Sequence, residues 1–162
     1  MSSSISIYQT PAVLAQTERL LWSFEHWTGR SLLPGLEKIS EKTPVMWAQA
    51  LFNAQFVVVS HGVEADPIFN YANQTALDLW ELDWSAFTQM PSRLSAEETF
   101  RADRAQMLAQ IAEGGFFDGY SGIRISSQGR RFSIENVTIW KVIDPQGHSH
   151  GQAATFEQWV YL

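Results

Sequence analysis

Arg124 and Glu135 are charged residues that a short β-hairpin can bring together, and a guanidinium beside a carboxylate under a covered sheet must either pair or bind something. The reason is that an unpaired buried charge costs several kcal/mol. If the hairpin turns at Gln128-Gly129, where glycine permits a positive φ, strand alternation fixes the company each residue keeps. Ile123, Ile125, Phe132, Ile134, Asn136 and Trp140 then share one face, and Tyr120, Gly122, Arg124, Ser133, Glu135, Val137 and Ile139 share the other. The candidate ligand-binding set is therefore Arg124, Glu135 and Tyr120, joined by Tyr71, Asn73 and Trp84 as aromatic and polar flanks for a flat molecule. Glu135 with Tyr120 or Tyr71 is also the acid and base pairing that a small cone-shaped α+β enzyme would use. A neighbouring arginine lowers a carboxylate's pKa rather than raising it, so this alternative ranks last and no catalytic residue is expected.

Other chemistry finds less support. Of His26, His61, His148 and His150 only the last two are close, and with Asp144 they form a loop cluster short of the three or four converging ligands a metal demands. No metal site is expected. Haem is disfavoured because the segment 96–113 carries no axial histidine, and a flavin held through a cysteine adduct is excluded because there is no cysteine. No phosphate loop, zinc ribbon or nucleophile elbow is present. A small ligand is expected, of unknown identity.

The chain has 162 residues, 45% of them hydrophobic, which is enough to bury one core without covalent staples. A net charge of −6 disfavours binding to nucleic acid, which rewards clustered cations. No apolar run is long enough to span a bilayer, and the first residues lack the layout of a signal peptide, so no membrane association is expected and the expected compartment is the cytoplasm.

Elements that would position these residues can be read from pattern. Pro11 opens an amphipathic helix with Val13, Leu14, Leu20, Leu21, Phe24 and Trp27 at helical spacing, closed by Thr28–Ser31. Thr43-Pro44 starts a second helix, and Phe56–His61 and Ile68–Tyr71 read as strands of a first hairpin. A short helix runs to Trp80, Ser95 and Glu98 resemble a capping box for a long helix ending at Gly114-Gly115, and strands follow near Tyr120–Ser127, Arg130–Ile143 and Gln152–Tyr161. The division is 1–43 as a helical extension and 44–162 as the sheet-bearing domain, in effect one globular unit.

This order resembles a PAS-type sensor domain. The segments FNYANQTALDLW, PSRLSAE, GYSGIRIS, GRRFSIENVTIW and GQAATFEQW, in this order, resemble more particularly the MEKHLA domain, a PAS-related family, over nearly the whole chain. That family occurs as a stand-alone bacterial protein, the type expected here, and at the C-terminus of plant homeodomain–leucine zipper regulators. The resemblance implies an α+β, PAS-like antiparallel sheet with helices on one face and the N-terminal helix on the other. It also implies a non-catalytic sensory or regulatory role in signalling, with a small ligand or a protein partner. The alternative is a dimerisation module whose pocket is packed solid. In the plant proteins the resemblance implies restraint of the host's own dimerisation. This chain has no homeodomain, no zipper heptads and no literal MEKHLA hexapeptide, so the DNA-linked role does not carry over.

Overall fold

The computed structural model describes residues 6–35, 43–96 and 101–162, with backbone alone at 101–104. Helix α1 spans Pro11–Thr28 because Thr10 caps it by accepting from the Val13 N–H, proline fits its first turn, and Gly29 closes it at a φ of 73°. Helix α2, Pro44–Phe52, repeats the device, with the Thr43 hydroxyl accepting from the Met46 N–H at 3.2 Å. Strands β1, Val57–His61, and β2, Phe69–Ala72, form the first hairpin, followed by the short helices α3, Gln74–Trp80, and α4, Trp84–Phe87. Helix α5, Arg101–Gly114, leads into β3, Phe116–Ile125, β4, Arg131–Ile143, β5, Ser149–Phe156, and β6, Gln158–Tyr161. The anticipated capping contact of Ser95 with Glu98 falls outside the described residues.

All strand pairs are antiparallel, in the order β2-β1-β5-β4-β3, and β6 continues past a bend at Glu157 along the edge of β4 that β5 has left. On the inner face, Phe132, Ile134, Val137 and Ile139 of β4 meet Leu77, Leu79 and Trp80 of α3, Phe87 of α4 and Ile111 of α5. On the outer face, Trp140 and Val142 meet Val13, Leu20, Leu21 and Phe24 of α1. Helix α2 belongs to both cores, giving Leu51 to the outer and Phe52 to the inner. The α+β arrangement, with helices on one face and the N-terminal helix across the other, agrees with the expectation.

Strand register departs from it in two places. The hairpin between β3 and β4 is one residue longer than a tight two-residue turn. The Gly129 N–H donates to the Ser126 carbonyl and the Ser126 N–H to the Arg130 carbonyl, with Gly129 at a φ of 81°. This is a longer loop closed by a left-handed glycine. Arg124 therefore sits opposite Phe132 and Ile125 opposite Arg131, so Ile123 and Ile125 leave the apolar face on which they were expected. The second departure is a bulge at Asn136, whose φ is 55°. An extra residue here reverses the alternation, so Val137 and Ile139 follow Phe132 and Ile134 inward while Trp140 turns outward.

Trp140 lies beneath the N-terminal helix, fully buried, its indole N–H donating to Ser23 Oγ at 3.0 Å and its ring edge-on to Phe24 at 5.0 Å. Trp140→Ala should lower the unfolding free energy by about 3–5 kcal/mol in urea titrations, through the cavity and the loss of the bond to Ser23 Oγ, whose hydroxyl keeps its own bond to the Arg19 carbonyl at 2.6 Å. A loss below about 1 kcal/mol would contradict the packing of α1 on this strand.

Candidate ligand-binding site

Register decides which predicted site residues meet. Tyr120, Gly122 and Arg124 stand opposite Val137, Ile134 and Phe132, and so point to the inner face at the β3 edge. Arg124 lies along the Tyr120 ring, its guanidinium carbon 5.5 Å from the ring centroid. Its Nη2 donates to Tyr120 Oη at 3.3 Å and its Nη1 to the Ile123 carbonyl at 3.0 Å. Gly122 makes room for this pairing, since a Cβ there would stand 2.8 Å from Tyr120 Oη. Both side chains are partly exposed, and Ala96 bridges to Arg124 along the strand edge.

Glu135 is elsewhere. It pairs with Gln158 on β6, follows the inward Ile134, and is exposed on the outer face. The expected shared face for Arg124 and Glu135 is therefore corrected: the added turn residue reverses β3 relative to β4, and the two form no ion pair among the described residues. The same reversal puts Glu135 and Tyr120 on opposite sides of the sheet.

Tyr71, Asn73 and Trp84 are gathered near α2 rather than beside Arg124. Tyr71 is fully buried on the outer-face side, and burial pushes its hydroxyl pKa far up. Asn73 is a bracket: its Oδ1 accepts from the Val58 and Ala76 N–H groups, each at 3.2 Å, while its Nδ2 donates to the carbonyls of Leu51 at 3.2 Å and Phe56 at 2.7 Å. All four groups of the amide are thus engaged by backbone, which ties α2, β1 and the start of α3 together. Trp84 is half-buried and edge-on to Tyr71 at 5.8 Å.

The middle of the inner face is occupied by rings. Trp80 lies 5.3 Å from Phe132, 6.0 Å from Phe87 and 6.3 Å from Phe156, and Phe69 lies 4.3 Å from Phe87. Sequence reading also missed a polar chain on the other side, where Gln16 of α1 donates to Ser60 Oγ at 3.1 Å and Ser60 donates to Asn70 Oδ1 at 2.5 Å. Its signal was a glutamine within the apolar stripe of α1.

In the β4–β5 turn, Asp144 Oδ2 takes His150 Nε2 at 2.9 Å and His148 Nδ1 at 3.3 Å, while Oδ1 accepts from the Gln146 and His148 N–H groups. The His150 hydrogen bond, reinforced by the two backbone N–H groups, holds the carboxyl well below the usual carboxylate range. Among the described residues no cluster of three or more metal-ligating side chains is placed to hold an ion, and no helix is long and apolar enough to cross a membrane.

The family model of the MEKHLA domain matches residues 14–161. Among similar curated proteins, the homeobox-leucine zipper protein ATHB-14 of Arabidopsis thaliana is 27% identical over 99% of this chain and 19% of its own length. ATHB-9 of the same plant is 32% identical over 60% of this chain and 12% of its own length. The chain thus spans less than a fifth of the relatives it matches. Among solved structures, an RNA-binding light-oxygen-voltage receptor superposes with a TM-score of 0.63 at 18% identity, covering 82% of this chain and 37% of the receptor. A PAS domain from Colwellia psychrerythraea superposes with a TM-score of 0.56 at 10% identity, covering 72% of this chain and 94% of that domain. These likenesses establish the PAS-like fold.

The Asp144 turn gives a pH dependence of defined sign. Because the folded pKa is lowered, its stabilisation is present above the ordinary carboxylate value near pH 4 and is lost as pH falls below it toward the folded value. Melting curves should show Asp144→Asn less stable than wild type at pH 5, with the gap narrowing as pH falls from 4 toward 2. A gap that stays constant across that range would contradict the assignment.

Proposed function

Since the chain belongs to the MEKHLA domain family, we propose that it is a non-catalytic sensory or regulatory module that takes a small ligand at the rim of its inner sheet face. The supporting observation is the pair formed by Tyr120 and Arg124 over Gly122, a partly exposed guanidinium 5.5 Å from a ring centroid and hydrogen-bonded to that ring's hydroxyl, beside an aromatic core. A guanidinium has five N–H donors in a planar fork, and Tyr120 and the Ile123 carbonyl engage only its two terminal nitrogens, one contact each. That arrangement suits a planar anion, most simply an aromatic carboxylate, whose ring lies against the aromatic side chains and whose carboxylate meets the remaining donors. The net charge of −6 supports a small ligand or a protein over nucleic acid as the partner. The relatives' homeobox and leucine-zipper names refer to proteins far longer than this chain, and a DNA-linked role is not proposed for it.

A second reading is favoured by the half of the outer face that α1 leaves bare. Ile123 of β3, Ser133 of β4 and Val160 of β6 lie in one row, and Val160 and Leu162 are 58% and 66% exposed. Exposed Ile123 and Val160, flanking the small Ser133, with Leu162 beyond, suit contact with a second copy of the chain, in which case the ring-filled inner face is simply core.

For the first reading, a thermal-shift screen of aromatic carboxylates should find compounds that raise the melting temperature of the wild type, with the rise lost in Arg124→Gln and reduced in Tyr120→Phe. A wild type unmoved by every carboxylate, or an Arg124→Gln variant that responds in full, would count against the rim as a site. For the second, light scattering should show the average mass rising above 18.3 kDa with concentration, and Val160→Asp should hold it there. A wild type that stays at the monomer mass throughout removes this reading.

A further inference from the structure

An open sheet edge is a template for another strand, and folded proteins protect their edges with bulges, charges, prolines or covering segments. Two edges of this sheet are protected in that way. At β2 the Phe69 N–H donates to the Met90 carbonyl at 3.1 Å, and Ile68 bridges to Pro91. At β3 the strand breaks register on either side of Tyr120, carries Gly119 at a φ of 85°, and is bridged near its end by Ala96. The outer edge of β6 has no such device. Gln158–Tyr161 runs along β4 without a bulge, contains neither a charge nor a proline, and pairs with no second strand among the described residues.

Hydrogen-bond parity identifies the groups on that edge. The Leu162 N–H donates to the Arg131 carbonyl at 3.1 Å, in step with the register that sets Tyr161 opposite Phe132. Antiparallel bonding alternates along a strand, so Gln158 and Val160 also turn their backbone groups to β4, while Trp159 and Tyr161 turn theirs away from it. The two N–H and two C=O groups of Trp159 and Tyr161 have no backbone partner among the described residues.

Resting on the second-copy reading above, we propose that the copies join through this edge, β6 antiparallel to β6, about a two-fold axis at Val160. The strand is complementary to itself. A pair centred on Val160 sets Trp159 opposite Tyr161 of the partner subunit on both sides of the axis, so the four free backbone groups of each strand bond reciprocally. Val160 meets its own copy on one side of the ribbon, and on the other an indole lies beside a phenol. Charge agrees with this direction. Exposed Glu157 stands at the start of β6 and Arg130 lies 3.4 Å over the Tyr161 ring at its end, and neither is in an ion pair among the described residues. Antiparallel pairing brings the Glu157 end of each strand beside the Arg130 end of the other. A foreign strand would share the backbone bonds but neither the symmetry nor the charge match. So short an edge makes a small contact, and the association is of the concentration-dependent kind.

Amide exchange on the wild-type chain reads this pairing directly. The N–H groups of Trp159 and Tyr161 should exchange freely in dilute protein and slow as concentration rises, while that of Val160, bonded to β4, is slow throughout. Tyr161→Pro removes an N–H that the fold leaves free and the pairing requires, at an edge position that tolerates proline. In sedimentation velocity the wild type should move from 18.3 kDa toward twice that mass with concentration, and Tyr161→Pro should stay at the monomer mass with its remaining β4 and β5 amides still protected. A wild type that is monomeric at every concentration removes the second-copy reading and this inference together. A wild type that associates while Trp159 and Tyr161 exchange freely, or a Tyr161→Pro variant that associates as wild type does, overturns edge pairing alone and leaves contact across the outer face.

Discussion

The central strand β4 must hide one face along its whole length and the other along only its second half, and the rest of the molecule is arranged around that demand. From Arg131 to Glu135 the strand is amphipathic, with Phe132 and Ile134 inward and Ser133 and Glu135 turned to the wetter side. From Val137 to Val142 both faces are covered, by α3–α5 within and α1 without. A regular strand could not do this with this sequence, since Val137 and Ile139 would follow Ser133 and Glu135 outward. Asn136, at a φ of 55°, inserts the single residue that brings them back in and at the same stroke aims Trp140 at Phe24 and Ser23. Asparagine is among the few residues other than glycine that tolerate that backbone region at small cost.

Helix α1 is seated by more than apolar contact. At its C-terminal end the Trp27 indole N–H donates to the Lys141 carbonyl at 2.9 Å, and the ring lies so close over Gly115 that no Cβ could be accommodated there. Gly115 is also the residue whose carbonyl accepts from the Lys141 N–H, so one glycine serves both the helix stop and the helix seat. Near the middle, Gln16 reaches Ser60. These directional bonds fix the rotation of α1 on the sheet, which apolar burial alone leaves loosely specified. Against this set of partners, the polar groups of Thr17, Trp47 and Tyr71, buried and unpaired among the described residues, stand out.

Elements were legible in the sequence and register was not. Caps, prolines and glycines have local effects, so Pro11, Thr43-Pro44 and Gly129 announced their helices and turn directly. A Gln-Gly pair, however, is compatible with a two-residue turn or with a longer one ending in a left-handed glycine, and the choice moves every later side chain to the opposite face. Hence Tyr120 and Arg124 were rightly grouped together, but Glu135 was wrongly added to them. The bulge left a trace that could have been read: the apolar spacing in FSIENVTIW breaks step at an asparagine. Asn73 was readable as a cap from its place before QTALDLW, yet its bonds to Leu51, Phe56 and Val58 depend on the fold and have no sequence signature.

Helix α2 is where the two sides of the sheet are mechanically joined. Leu51 packs in the outer core and the adjacent Phe52 in the inner one, so a rigid movement of this helix changes both sets of contacts at once. The Asn73 amide holds the Leu51 carbonyl and the Val58 N–H while its Oδ1 caps α3, which bears Trp80 at the centre of the aromatic core. Any displacement of α2 would therefore strain the bonds that position the inner-face rings. The packing of the inner-face rings and the seating of the outer layer are thus tied through one short helix and one amide, in an interior too closely packed to let either shift alone.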